Sequence, residues 1–131
     1  MYHSVVVVED SEGLRRVIAL NLARQGHRVR EAATAAEAIQ LLAEELPDLL
    51  LLDICLPDHS GWDVLREMAR RGVRVPTIVI SAVRVGPSRL AEFRPLAYLP
   101  KPFPLDSLLR LVGNASPPGD RGEEPVISGT H

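Results

Sequence analysis

Leu49-Leu50-Leu51-Leu52-Asp53-Ile54-Cys55-Leu56-Pro57 is the stretch on which the fold turns. Four consecutive leucines are too few for a helix and lack the alternation of a half-exposed strand. They read as a strand buried on both faces, stopped by a carboxylate and followed by a loop through Pro57, Ser60 and Gly61. Working outward, Val5-Val6-Val7-Val8 has the same form and also runs into carboxylates, Glu9 and Asp10. Thr77-Ile78-Val79-Ile80 is a third such run and stops at Ser81. A shorter one, Ala97 to Leu99, precedes Lys101, and His27 to Ala32 alternates weakly as a more exposed strand.

Between these runs the apolar spacing becomes helical. Residues 13–25 place Leu14, Val17, Ile18 and Leu22 on one face, with Gly26 set to end the helix. Thr34 and Glu37 have the spacing of a capping box ahead of Ala38, Ile39, Leu42 and Leu46, and Pro47 punctuates the stretch. A helix over 61–71 buries Trp62, Leu65 and Met68 and stops at Gly72. The last helix carries Leu105, Leu108, Leu109 and Val112 and closes at Gly113-Asn114. Residues 83–95 are poor in pattern, and Gly86-Pro87 and Pro95 leave room for about two helical turns. Five strand-then-helix units predict an α/β fold: a five-stranded parallel sheet, doubly wound, with a short or irregular fourth helix.

A chain of 131 residues, 46% hydrophobic and 24% charged, suits one globular domain. We place it at 1–115. Residues 116–131 hold three prolines and three glycines and read as a disordered tail or linker. No apolar run approaches the ~18 residues of a membrane span. The N-terminus lacks the basic-then-apolar layout of a signal peptide, which predicts a cytoplasmic protein. One cysteine excludes a disulfide framework and a multi-thiolate metal site, and the four histidines have no ligand spacing. Residues 1–115 balance 14 basic against 14 acidic side chains, so nothing indicates direct nucleic-acid binding. Of the 15 basic residues, 14 are arginine, and the one lysine is Lys101. That contrast suggests a position needing a compact, flexible ammonium.

In open parallel sheets, ligands sit beyond the carboxyl ends of the strands. Here those ends carry Glu9 and Asp10, Asp53, Ser81 and Lys101. Three neighbouring carboxylates repel one another unless a cation neutralises them, and an oxygen-only donor set suits Mg²⁺. With a hydroxyl and an ammonium nearby, the set can hold a phosphoryl group, and a carboxylate within it can accept one.

At these positions the chain resembles the receiver domain of bacterial two-component response regulators. The resemblance rests on Val8-Glu9-Asp10-Ser11, on Asp53-Ile54-Cys55-Leu56-Pro57 with Gly61, on Ser81-Ala82, and on Tyr98-Leu99-Pro100-Lys101-Pro102-Phe103. It covers roughly 4–114. It implies a flavodoxin-like strand order, 2-1-3-4-5, and Asp53 as phosphoacceptor. It further implies Mg²⁺ held by Asp10 and Asp53, by Glu9 through water and by the Cys55 carbonyl. Lys101 would contact the phosphoryl group, with Ser81 and Tyr98 as the switch pair. The implied partners are a histidine kinase or phosphotransfer protein and a downstream effector, with homodimerisation left open. The implied role is a signalling switch, not a turnover enzyme, although such a protein can hydrolyse its own acyl phosphate.

Two departures stand out. Ser81 to Lys101 spans about two fewer positions than the family usually has, and Pro95-Leu96-Ala97 replaces the usual Gly-Ala before the fifth strand. Both fall on the output surface and leave the phosphorylation residues intact. The alternative reading is a receiver-like interaction module that works without phosphate; the complete pocket speaks against it. A flavodoxin would need a hydroxyl- and glycine-rich loop where this chain has Glu9-Asp10. A haloacid-dehalogenase phosphatase usually has a second Asp where this chain has Cys55.

Overall fold

Strands and helices alternate throughout the described residues. The computed structural model describes residues 3–115. In order they form β1 (Ser4–Val8), α1 (Glu12–Arg24), β2 (Arg28–Ala32), α2 (Ala35–Glu44), β3 (Leu49–Asp53), α3 (Gly61–Arg70), β4 (Thr77–Ser81), α4 (Pro87–Phe93), β5 (Ala97–Pro100) and α5 (Leu105–Asn114). The five strands form one parallel sheet in the order β2-β1-β3-β4-β5. The expected tail, 116–131, lies outside the described residues.

The apolar runs explain the layering. Successive side chains on a strand point to opposite faces, so a strand apolar at every position feeds two cores. Val6, Val8, Leu50, Leu52 and Val79 meet Ala38 and Leu42 of α2 and Val64 and Met68 of α3. Val5, Val7, Leu49, Leu51, Ile78 and Ile80 meet Ile18 and Leu22 of α1 and Leu108 and Val112 of α5. β3 and β4 are buried throughout, whereas β2, on the sheet edge, is mostly exposed or half-buried.

Register sets the site. Val8 pairs with Leu52, Asp53 with Ile80, and Ser81 with Pro100. Glu9, Asp53, Ser81 and Lys101 therefore reach the same rim of the sheet. Pro100 lies on the edge strand, where a missing amide costs no ladder bond on the open side.

Three expectations need correction. Val17 is not on the buried face of α1; it is 46% exposed, because the inward stripe runs through Ile18, Ala19 and Leu22. Leu46 lies beyond α2 and is 49% exposed. The chain is already extended at Glu45, as suits an approach to Pro47. On α3, Trp62 and Met68 are buried as expected together with Val64, while Leu65 is only half-buried.

The fourth helix is short, as expected. It has seven residues, Pro87 in its first turn, no side-chain cap and no buried residue. Arg94 ends it in the left-handed region at φ 48, just before Pro95. Its anchor is Phe93, whose ring stacks on Trp62 with centroids 4.8 Å apart, while the Arg66 guanidinium lies 5.3 Å from the Phe93 centroid.

Candidate functional site

Glu9 follows β1 directly and is fully buried, and Asp53 ends β3 with 2% exposure. Asp10 is exposed at the mouth. Ligand oxygens of the three all lie within 4.8 Å of one another. Local bonds fix their orientation. The Ser11 amide donates to Glu9 Oε2 at 3.0 Å, and the Cys55 amide donates to Asp53 Oδ1 at 2.9 Å.

Lys101 enters from the end of β5. Its Nζ lies 2.8 Å from Asp53 Oδ2 and 2.7 Å from Glu9 Oε1. Its backbone amide donates to the Ser81 carbonyl at 2.8 Å, which extends the sheet by one residue and aims the side chain inward. The Lys101-Pro102 peptide is cis. One ammonium thus bridges two buried carboxyl groups, with the exposed Asp10 carboxyl close to both acids. Burial pushes the Glu9 carboxyl above its ordinary value, and the Asp53 charge adds to this; Lys101 and the Ser11 amide oppose it. For Lys101, burial alone would lower the value, but Asp53 and Glu9 outweigh it and raise the ammonium above its usual range.

The hydroxyl expected in the pocket points elsewhere. Ser81 is buried, and its Oγ donates to the Val83 carbonyl at 2.7 Å and accepts from the Val83 amide at 3.0 Å. The Tyr98 hydroxyl approaches the same carbonyl at 3.5 Å. Ser81 and Tyr98 therefore converge on Val83 rather than on Asp53. Cys55 contributes its amide, and its thiol is exposed.

Three participants escaped the sequence reading. Val83 acts through its backbone and leaves no side-chain signal. Arg15 donates to the Glu9 carbonyl at 3.0 Å and pairs with Glu31 at 3.1 Å, supporting the acidic turn from α1. Asp58 leaves the loop after Asp53 to bind the start of α2. Arg15 and Asp58 are ordinary surface residue types, and only the fold shows what they touch.

The donor set is oxygen-only, with two of its carboxylates buried. Its excess negative charge over the single ammonium fits a hard divalent cation.

Comparisons with known proteins agree with this fold. The profile described as "Response regulator receiver domain" matches residues 5–113. The response regulator MprA of Mycobacterium avium is 34% identical over 129 residues, covering 95% of this chain and 57% of that protein. The DNA-binding transcriptional regulator NtrC of a Bradyrhizobium strain is 31% identical over 132 residues, covering 96% of this chain and 27% of that protein. The chain thus spans only part of the length of these relatives. Among solved structures, the non-phosphorylated HemR receiver domain of Leptospira biflexa superimposes with TM-score 0.76 at 30% identity, covering 87% of this chain and 97% of that one. TrrA of Thermotoga maritima, solved in complex with Mg²⁺-BeF, gives TM-score 0.73 at 26% identity, covering 84% and 96%.

Proposed function

The chain belongs to the response regulator receiver family, and from that premise we propose that it is a phosphoacceptor switch in a two-component phosphorelay. Receiver domains are signalling switches that pair with histidine kinases and downstream effectors. The observation that carries the reading is Lys101 Nζ set between Asp53 and Glu9, at 2.8 and 2.7 Å, with the Asp10 carboxylate in reach of both acids.

In this reading an Asp53 carboxylate oxygen attacks the phosphorus of a phosphohistidine. The new O–P bond forms as the P–N bond breaks, and the imidazole leaves with its electron pair and takes up a proton. The Cys55 amide holds Asp53 in orientation, and Lys101 neutralises charge on the transferred oxygens. Glu9, Asp10, Asp53 and the Cys55 carbonyl would hold Mg²⁺, which supplies charge neutralisation for the incoming phosphoryl group. The TrrA complex with Mg²⁺-BeF supports the assignment by homology.

Once Asp53 carries a phosphoryl group, its oxygens compete with Val83 for the Ser81 hydroxyl. Moving Ser81 inward frees the Val83 carbonyl and the space beside Tyr98. The α4–β5–α5 surface is then the output, with residues 1–115 as the receiver body and the cytoplasm as its place of work. Intact mass after incubation with a small acyl phosphate tests the core claim. A phosphate adduct forms with Mg²⁺ and is lost with chelator or in Asp53→Asn; an adduct that survives either would overturn the assignment.

A further inference from the structure

The loop between β3 and α3 is tied down at three places, none of which the phosphorylation reading itself invokes. At its base, the Gly61 amide donates to the Ile54 carbonyl at 2.8 Å. The approach there is so close that a Cβ on Gly61 would sit 2.5 Å from the Asp53 carbonyl oxygen. Midway, Cys55 and Ser60 form an isolated antiparallel bridge. At the tip, Asp58 Oδ1 accepts from the Ala35 amide at 2.9 Å and Oδ2 from the Ala36 amide at 3.0 Å.

That last tie joins the loop to a helix more than 20 residues away in sequence. The start of α2 already has a capping box. The Glu37 amide donates to Thr34 Oγ1 at 3.1 Å, and the Ala33 amide donates to Glu37 Oε1 at 2.7 Å. Asp58 takes the two first-turn amides that the box leaves over. A carboxylate is favoured there by the partial positive charge of the helix start. The amide bonds hold its acid below the ordinary carboxylate value.

We propose that Asp58 is a positioning residue for the phosphosite. By fastening the loop tip to α2, it fixes Cys55, whose amide donates to Asp53 Oδ1 and whose carbonyl belongs to the proposed metal set. The inference rests on the reading of Asp53 as phosphoacceptor. The rival is that Asp58 merely caps α2. Thr34→Ala separates the two, because it loosens the same helix end without touching the loop.

The experiment is calorimetric Mg²⁺ titration of the parent, Asp58→Ala, Asp58→Asn and Thr34→Ala, with exchange of the Cys55 amide followed by NMR. Asp58→Ala weakens Mg²⁺ binding about tenfold, the low end for groups that support metal ligands from outside the ligand set, and speeds Cys55 exchange. Asp58→Asn, which keeps one acceptor oxygen, falls between it and the parent. Thr34→Ala stays near parental affinity. Equal Mg²⁺ affinities for Asp58→Ala and Thr34→Ala would reduce Asp58 to a helix cap and overturn the proposal. If Asp58→Ala does not fold, Asp58→Asn carries the same comparison. A parent that binds no Mg²⁺ and takes no phosphoryl group overturns the Asp53 reading instead, and Cys55 exchange alone then judges Asp58.

Discussion

The acid pocket and the 83–96 segment hang from the same rim of one sheet but are held by different means. Every carboxyl oxygen of Glu9 and Asp53 has a neighbour: Lys101 takes one oxygen of each, and the Ser11 and Cys55 amides take the others. The 83–96 segment has far fewer fixings. α4 buries nothing fully, and its main attachments are the Phe93–Trp62 stack and the Ser81–Val83 exchange. The difference teaches where a signal can act. Charge arriving in the pocket meets groups that cannot yield without leaving a buried ion unpaired. The segment next door is held by neutral hydrogen bonds at Val83 and Leu96 and by the half-covered Phe93 ring beneath Arg66, so it can shift without stranding a buried ion.

The largest expected effect attacks the rigid side. Lys101→Met leaves two buried carboxyl groups facing each other without their cation, and should destabilise the metal-free protein by roughly 3 kcal/mol, the low end for breaking a buried pair. Lys101 keeps some solvent contact, with its side chain 21% exposed, which argues for that low end. Denaturant titration checks this, and Mg²⁺ should stabilise the variant more than the parent. Lys101→Arg should regain part of the stability but not phosphoryl transfer, because a planar fork cannot occupy the point between Glu9 and Asp53. If Lys101→Met unfolds like the parent, the pocket is not the rigid partner of the comparison.

A smaller effect is expected on the loose side. Phe93→Ala should cost about 1–2 kcal/mol, less than a fully buried Phe because the ring is only half-covered. Its sharper signature is local: amide exchange across 83–96 should accelerate, while β4 and Mg²⁺ affinity stay as they were. In the parent, a phosphoryl mimic with Mg²⁺ should slow exchange across 83–96. Protection of this segment equal to that of β4 in the free parent would erase the distinction.

The smallest effect comes from the opposite rim and serves as a control. His3 is 1% exposed and stacks on His27 with ring centroids 5.3 Å apart, and the His3 amide donates to His27 Nδ1 at 3.1 Å. Burial lowers both imidazoles from 6.5; Asp48 opposes this at His3, and His3 adds to it at His27. Above about 6.5 both rings are neutral whether the chain is folded or not, and their contribution is fully present. As pH falls below that value, the unfolded chain takes up protons that the folded one refuses, and stability declines until the folded values are reached. Melting temperature measured from about pH 7 to about pH 5 should fall, and His27→Gln should flatten the slope. Exchange across 83–96 should ignore this change; if it follows it, the segment answers to global stability and not to the pocket.

Much of this was legible in particular residues. Apolar at every position, Val5–Val8 and Leu49–Leu52 require cover on both faces, which leaves a doubly wound parallel sheet as the natural outcome. The lone lysine among arginines marked Lys101, and the brackets at Pro87 and Pro95 predict a short α4 of about two turns, which the structure has with seven residues. Helix phase turned Val17 to the exposed face inside α1, and α2 ended short of Leu46.

Local chemistry sufficed wherever a property belongs to one segment: strand burial, helix caps, and the residue type at each strand end. What only the folded chain decided are pairings between distant segments. Asp58 could be a cap for its own helix or for another, and the β3–α3 loop delivers it to α2. Ser81 could face Asp53 or turn away, and Val83 holds it away. Trp62 reads as a core residue from its spacing, yet its ring is also the seat of α4. Side-chain periodicity reports which face a residue takes, because the backbone repeat fixes that direction. It carries no information on which partner waits across the gap, because that depends on the register and crossing of elements far apart in the chain.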